Sequence, residues 1–205
     1  MIDKVKINGV YDILNQHNKS FPVYCAFGPE PGAAWTLIQS HSLNNNNAFR
    51  RKAFYLHDMP INQDVSEWNN YRLSMSRMKS IQDVSTHWRA TCNFPTDGVN
   101  YRDYIRVSLK SLDLLAEPPT AANGFCLLTE FVNVRGHECF NCTVLTGYSS
   151  VVSLHIDSFY GPTKGCDFGG GIPDEDNFGV YGTQNPAFRC TSSMSSTTQY
   201  WLGSF

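Results

Sequence analysis

The sequence predicts an α+β domain that is mainly antiparallel β-sheet, with few short helices and a long loop-rich C-terminal half. Three observations carry this prediction. Phe21–Ser40 and His87–Leu109 alternate apolar with polar residues and are broken by Gly/Pro-containing turns, the pattern of strands paired as hairpins. A short stretch, from Asp64 to Ile81, sets apolar residues at three- and four-residue spacings and so admits a helix. After Asp157 the chain becomes rich in Gly, Pro, Asp and Asn with almost no periodicity, and so long a run is functional or held by ligands and cross-links.

A chain of 205 residues can bury roughly 70% of its unfolded surface in one core. We therefore read a single domain over 1–205, with a hairpin part at 1–40, a central sheet at 41–156 and a loop-rich part at 157–205. In chain order, Val23 and Cys25 alternate into a first strand, Gly28-Pro29 and Pro31-Gly32 force a turn, and Trp35–Ile38 resumes an extended run. Asn44–Asn47 predicts a loop, because Asn side chains compete with the backbone for hydrogen bonds. Around 71–75 a strand or irregular piece precedes a short helix at 76–84, whose Met and aromatic stripe is core. His87–Phe94 and Tyr104–Leu109 are strands joined by a Pro95–Gly98 turn. Glu117–Gly124 is a break, and Phe125–Arg135 and Val144–Ile156 are further strand-like runs.

Charged residues are only 17% of the chain and the net charge is −2, with Lys and Arg scattered. No basic field exists to attract a polyanion, which excludes nucleic-acid binding. No run of about 18 apolar residues is present, so a membrane span is not expected. The first residues alternate polar and apolar and lack the apolar segment of a signal peptide. Either the chain is cytosolic or an upstream leader is missing. Seven cysteines, the low charge and two Asn-x-Ser/Thr sequons, at Asn18 and Asn141, favour the second and predict a secreted, extracellular glycoprotein. The odd cysteine total is most simply explained by a partner lost upstream.

NGVYDI (8–13), FPVYC (21–25) and WTLIQS (35–40) together resemble the opening of fibrinogen C-terminal-like domains, in which a G-V-Y-x-I strand, a V-Y-C strand and a G-W-T-x-I-Q strand follow in that order. WNNYRLSMSRMKSI is similar to the family's W-x-x-Y segment and short helix, and DEDNFG to its Asp-rich calcium loop. With the closing TTQYWLG, the pattern looks most like divergent fibrinogen-related secreted proteins of invertebrates such as corals. The family's Gly-Gly-Gly-Trp run appears here as Gly32-Ala33-Ala34-Trp35, and its paired tryptophans before Cys-His are absent, so its acetyl-group pocket transfers to no residue of this chain. In the family the V-Y-C cysteine pairs just upstream of G-V-Y, where residues 1–7 hold no cysteine; the resemblance thus implies that Cys25 is the odd one out.

GHECFNCTV (136–144) packs a histidine and two cysteines together. Zinc normally requires two close ligand pairs, and Cys166 and Cys190 offer no second pair. A redox site places its first cysteine at a helix N-terminus, whereas a strand-like run follows Cys142. Structural disulfides among Cys92, Cys126, Cys139, Cys142, Cys166 and Cys190 are the expectation, with the pairing left open and 136–144 read as a cross-linked turn bearing Asn141 at its tip. His137-Glu138 lacks the second His of a zinc-protease motif, and no nucleophile signature accompanies the six histidines, so an enzyme is not expected. The acidic run Asp174–Gly179 is either a solvated turn or a calcium loop, in which Asp174 and Asp176 would be side-chain ligands and Asn177 and Phe178 would contribute oxygens; no Glu stands at the twelfth position of an EF-hand, where Asn185 lies. Tyr181, Tyr200 and Trp201 are the candidates to stack on a glycan. The functional expectation is a non-catalytic, lectin-like recognition or adhesion domain, and the alternative is a structural matrix protein without a pocket. Thiol counting under denaturing, non-reducing conditions should return one free thiol; seven would refute the extracellular reading and revive metal chemistry.

Overall fold

The computed structural model describes residues 6–118, 124–157, 165–169 and 175–204. The N-terminal strands are β1 (Gly9–Leu14), β2 (Ser20–Phe27) and β3 (Ala34–Ser42), followed by β4 (Asn70–Arg72) and helix α1 (Met75–Gln82). Then come β5 (His87–Cys92), the one-turn helix α2 (Phe94–Asp97), β6 (Tyr104–Ser108), β7 (Phe125–Val134), β8 (His137–Gly147), β9 (His155–Asp157), β10 (Asp176–Asn177) and β11 (Thr197–Ser204). All strands join one antiparallel sheet in the order β1-β2-β3-β11-β5-β6-β7-β8-β9-β10, with β4 on β3. The mainly antiparallel architecture with few helices is as the sequence predicts.

The last strand lies at the centre. β11 pairs β3 along one edge and β5 along the other, and seven of its eight residues are buried. Its neighbours are buried on both faces, which is why β5 reads as a nearly continuous buried run rather than as a clean alternation. Tyr71, Met78 and Ile81, from β4 and α1, belong with Trp88, Ile105 and Leu202 to the main core. The expected hairpin is β2–β3, where Phe21, Val23 and Cys25 point inward. β4 and α1 also arrive where the spacing places them.

Two local expectations are corrected. The asparagine quartet is not an open loop but a 3-10 turn over Leu43–Ala48, held because Asn46 Nδ2 donates to the Val180 carbonyl (2.7 Å) and Asn45 Nδ2 to that of Asn69 (2.8 Å). GHECFNCTV is cross-linked, as expected, but is not a turn: from His137 it runs in β8, which keeps one register with β7. The reversal lies one step earlier at Arg135-Gly136, both at positive φ (55° and 87°), the two-residue turn whose twist matches antiparallel strands. Three bridges form, Cys92–Cys190, Cys126–Cys166 and Cys139–Cys142, and Cys25 is a buried free thiol whose pKa burial pushes up. Cys92–Cys190 closes 98 residues and by chain entropy stabilises the fold by roughly 4–5 kcal/mol.

Gly203 sits where β11 meets β3: a Cβ there would lie 2.4 Å from the Ala34 carbonyl and 2.6 Å from the Trp35 ring. Gly203→Ala should cost about 2–3 kcal/mol, read as a lowered melting temperature. His41 is fully buried and stacked on Phe49, and desolvation depresses its pKa to about 3. The unfolded chain, with an ordinary histidine, takes up this proton as pH falls below about 6.5, while the folded one does not until about 3. Stability should therefore fall by up to about 1.4 kcal/mol per pH unit through that window, from this group alone. Urea titrations of wild type and His41→Gln at several pH values should show the slope reduced in the variant.

Candidate functional site

Residues paired across antiparallel strands share a face. The registers of β11, β5, β6, β7 and β8 line up one row, Trp201–Arg89–Arg106–Phe131–Phe140, and beside it a second, Gln199–Thr91–Tyr104–Asn133–Glu138. This is the face away from Trp88 and Ile105. Along the first row burial falls away: Trp201 and Arg89 are wholly buried, Phe131 is buried, and Phe140 is 64% exposed. The Phe140 ring packs on Phe131 (centroids 4.6 Å apart), and Tyr101, from the loop before β6, meets Phe131 and Tyr104 edge-on. Tyr101, Arg106, Phe131, Glu138 and Phe140 line a cleft of about 370 Å³, within the size range of small-ligand sites.

Behind the cleft runs a chain of alternating charge. Glu130 takes Arg106 Nε at 2.9 Å on one oxygen and His87 Nε2 at 2.8 Å on the other. Glu30, from the loop between β2 and β3, accepts from Arg106 Nη1 (3.2 Å) and the Tyr104 hydroxyl (3.3 Å), and its second oxygen lies 3.8 Å from Arg89 Nη1.

Two arginines are fully buried, and their surroundings differ. Arg72 donates to the Lys52, Ala53 and His57 carbonyls and to Gln39 Oε1, with its guanidinium over the Phe54 ring, and so pins the 49–57 segment. Arg89 lies between the Trp35 and Trp201 rings (4.5 and 5.1 Å), and none of its three nitrogens makes a well-formed hydrogen bond among the described residues. Burial pulls its pKa below the ordinary arginine value, with Tyr104 and Glu30 acting in the opposite direction. Arg72 spends both terminal nitrogens on backbone carbonyls and Gln39. Arg89 is held by two π-faces, Tyr104 and the more distant Glu30 carboxylate, and retains donors for a further acceptor.

The aromatic residues expected to stack on sugar lie elsewhere. Tyr181, Tyr200 and Trp201 are all buried, with polar tips already engaged: Tyr181 with the Thr198 hydroxyl, Tyr200 donating to the Leu154 and Phe178 carbonyls, and Trp201 Nε1 donating to Thr91 Oγ1. They are core because the strand that carries Tyr200 and Trp201 is central, and they offer no ring to solvent.

In the acidic segment, Asp174 lies outside the described residues. Asp176 and Asn177 form β10, so their side chains leave it on opposite sides. The Asp176 carboxylate faces His155 Nε2 (3.4 Å) and accepts the Gly182 N–H (3.3 Å), while the buried Asn177 carboxamide has no hydrogen-bond partner among the described residues. Glu175 pairs with Arg135 at 3.0 Å, and the Phe178 carbonyl receives the Tyr200 hydroxyl. Of the oxygens expected to hold calcium, those of Asp176 and Phe178 thus meet protein partners, whereas that of Asn177 meets none among the described residues. The two sequon asparagines are both exposed, Asn18 in the β1–β2 turn and Asn141 between the bridged cysteines of β8.

Glu30, Arg89, Tyr101, Arg106, Phe131 and Phe140 were not singled out by sequence. A partial signal existed: the alternation in HWRATC and YIRVS sets Arg89 and Arg106 off the face of Trp88 and Ile105. No family model, curated protein or solved structure matches the chain. The contrast between the two arginines is testable by urea denaturation. Arg72→Met should cost about 3–5 kcal/mol, since it strips donors from buried carbonyls, whereas Arg89→Met should change stability by about 1 kcal/mol or less.

Proposed function

We propose that the chain is a non-catalytic recognition domain of the fibrinogen-related kind, acting outside the cell and binding glycans in the cleft of Tyr101, Phe131 and Phe140. The observation that carries this is the exposed Phe140 ring, packed at a tilt on Phe131 on a sheet face and bordered by Arg106 and Glu138. A pyranose has an apolar C–H face and a rim of hydroxyls; an aromatic floor with a charged border matches both. Phe140 is not covered by any element of the described fold, so its hydrophobic surface is available to a ligand. Three disulfides accord with an oxidising compartment, and the NGVYDI, FPVYC and WTLIQS strands support the family reading.

Titration against a panel of neutral and acidic oligosaccharides should find a binder. Phe140→Ala should weaken it at least about tenfold, equivalent to about 1.4 kcal/mol, and Tyr101→Ala comparably. Phe140→Ala should leave the melting temperature nearly unchanged, because the ring it removes is largely exposed. Wild-type affinity in both variants would overturn the cleft assignment, and a panel without any binder would return the chain to the structural-matrix reading.

A further inference from the structure

Glu30 holds Arg106, a residue of the cleft wall, from behind, as a ligand's carboxylate would. It lies on the 28–33 connection, where Pro29, Pro31 and Gly32 are exposed while its own side chain is only 11% exposed. Gly28 and Gly32 flank it at φ +86° and +81°, with nothing within 4 Å of an added Cβ at either. The groups that receive its carboxylate are of another kind. Arg89, Tyr104 and Arg106 belong to β5 and β6, in the middle of the sheet, and Arg89 is clamped between two indoles. A rigid receptor is thus filled by a carboxylate on an exposed loop with two glycine pivots.

The other acid is placed differently. Glu130 stands on β7 and is satisfied by Arg106 Nε and His87, which leaves the Nη1 side of Arg106 to Glu30. Among the described residues Glu30 is the one carboxylate within ion-pair distance of Arg89. Moving it away would leave a buried guanidinium whose three nitrogens lack well-formed bonds, a cost that another anion in its place would offset. Glu30 divides its two oxygens, one toward Tyr104 and Arg106 and the other toward Arg89, and that division defines a planar carboxylate rather than a tetrahedral oxyanion.

We propose that Arg89, Tyr104 and Arg106 form a carboxylate-binding site which Glu30 fills in the free protein, and that a carboxylate-bearing sugar lying on Phe140 and Tyr101 displaces it. This rests on the glycan reading of the cleft and makes it specific: the preferred ligand is a uronic-acid type of sugar, and Glu30 is a built-in competitor that lowers affinity for it.

The probes are a glucuronate-terminated disaccharide, its methyl ester, and free formate. By calorimetric titration, Glu30→Ala should bind the acid about tenfold more tightly than wild type does and the ester unchanged. Adding Arg106→Met to Glu30→Ala should abolish that gain. In thermal melts, formate should raise the melting temperature of Glu30→Ala relative to chloride at equal ionic strength, and should leave wild type unmoved. Glu30→Gln, which keeps the side chain's shape without its charge, is run beside it and should shift in the same direction should the alanine variant fold poorly. An equal gain for acid and ester, or ester binding without a formate response in either Glu30 variant, overturns this inference and leaves the cleft reading standing. A formate response with no sugar bound by any variant overturns the cleft reading instead.

Discussion

The structure depends on the insertion of its last strand into the middle of its sheet. β11 is hydrogen-bonded to β3 and to β5 and is buried over nearly its whole length, so within the sheet the N-terminal strands are paired to the β5–β10 half through it. Contacts between residues about 160 positions apart, such as Gln199 Nε2 donating to Ser40 Oγ, therefore lie at the core of the fold rather than at its edge. A sheet completed by distant segments forms slowly, because loop closure precedes the pairing that rewards it. Cys92–Cys190 acts on the same problem by tethering the segment just before β11 to the end of the strand beside which β11 must lie.

The same insertion creates the binding face. Trp201 reaches Arg89 only because β11 neighbours β5, and Trp35 reaches it because β3 is the next strand over. A guanidinium between two indoles loses less on burial than an ammonium would, since it is weakly hydrated and its plane matches theirs. Charge can consequently persist deep in the sheet and surface one strand later at Arg106. The row thus grades from a sealed aromatic–cation sandwich to an open ring at Phe140, and the fold needs only the sealed end.

Much of the scaffold was legible in the sequence because it is local. Alternation in Phe21–Ser40 and the three- and four-residue spacing after Asp64 report which side of an element is apolar, and β2, β3, β4 and α1 follow from that. Asn44–Asn47 and GHECFNCTV were misjudged for one shared reason. Their conformation is set by partners far away, Val180 for Asn46 and the β7 strand for Cys139–Cys142, and composition is silent about both. Tyr200 and Trp201 looked like surface aromatics because nothing nearby in the chain announces that β11 is covered on both faces. The positions that matter most for binding were the hardest to see: Arg89 differs from Arg72 only in what surrounds it, and Glu30 reads from sequence as a turn acid between two prolines.

The Cys139–Cys142 bridge spans Phe140 and Asn141, the latter in the left-handed region at φ 47°. An edge-of-cleft phenylalanine would ordinarily swing with its strand and have to be immobilised by whatever it met. Here a covalent clasp fixes the backbone beneath the ring, and packing on Phe131 fixes the ring itself. The orientational entropy that an incoming molecule would otherwise forfeit was removed when the sulfurs joined, so contact at this point is preorganised before any encounter takes place.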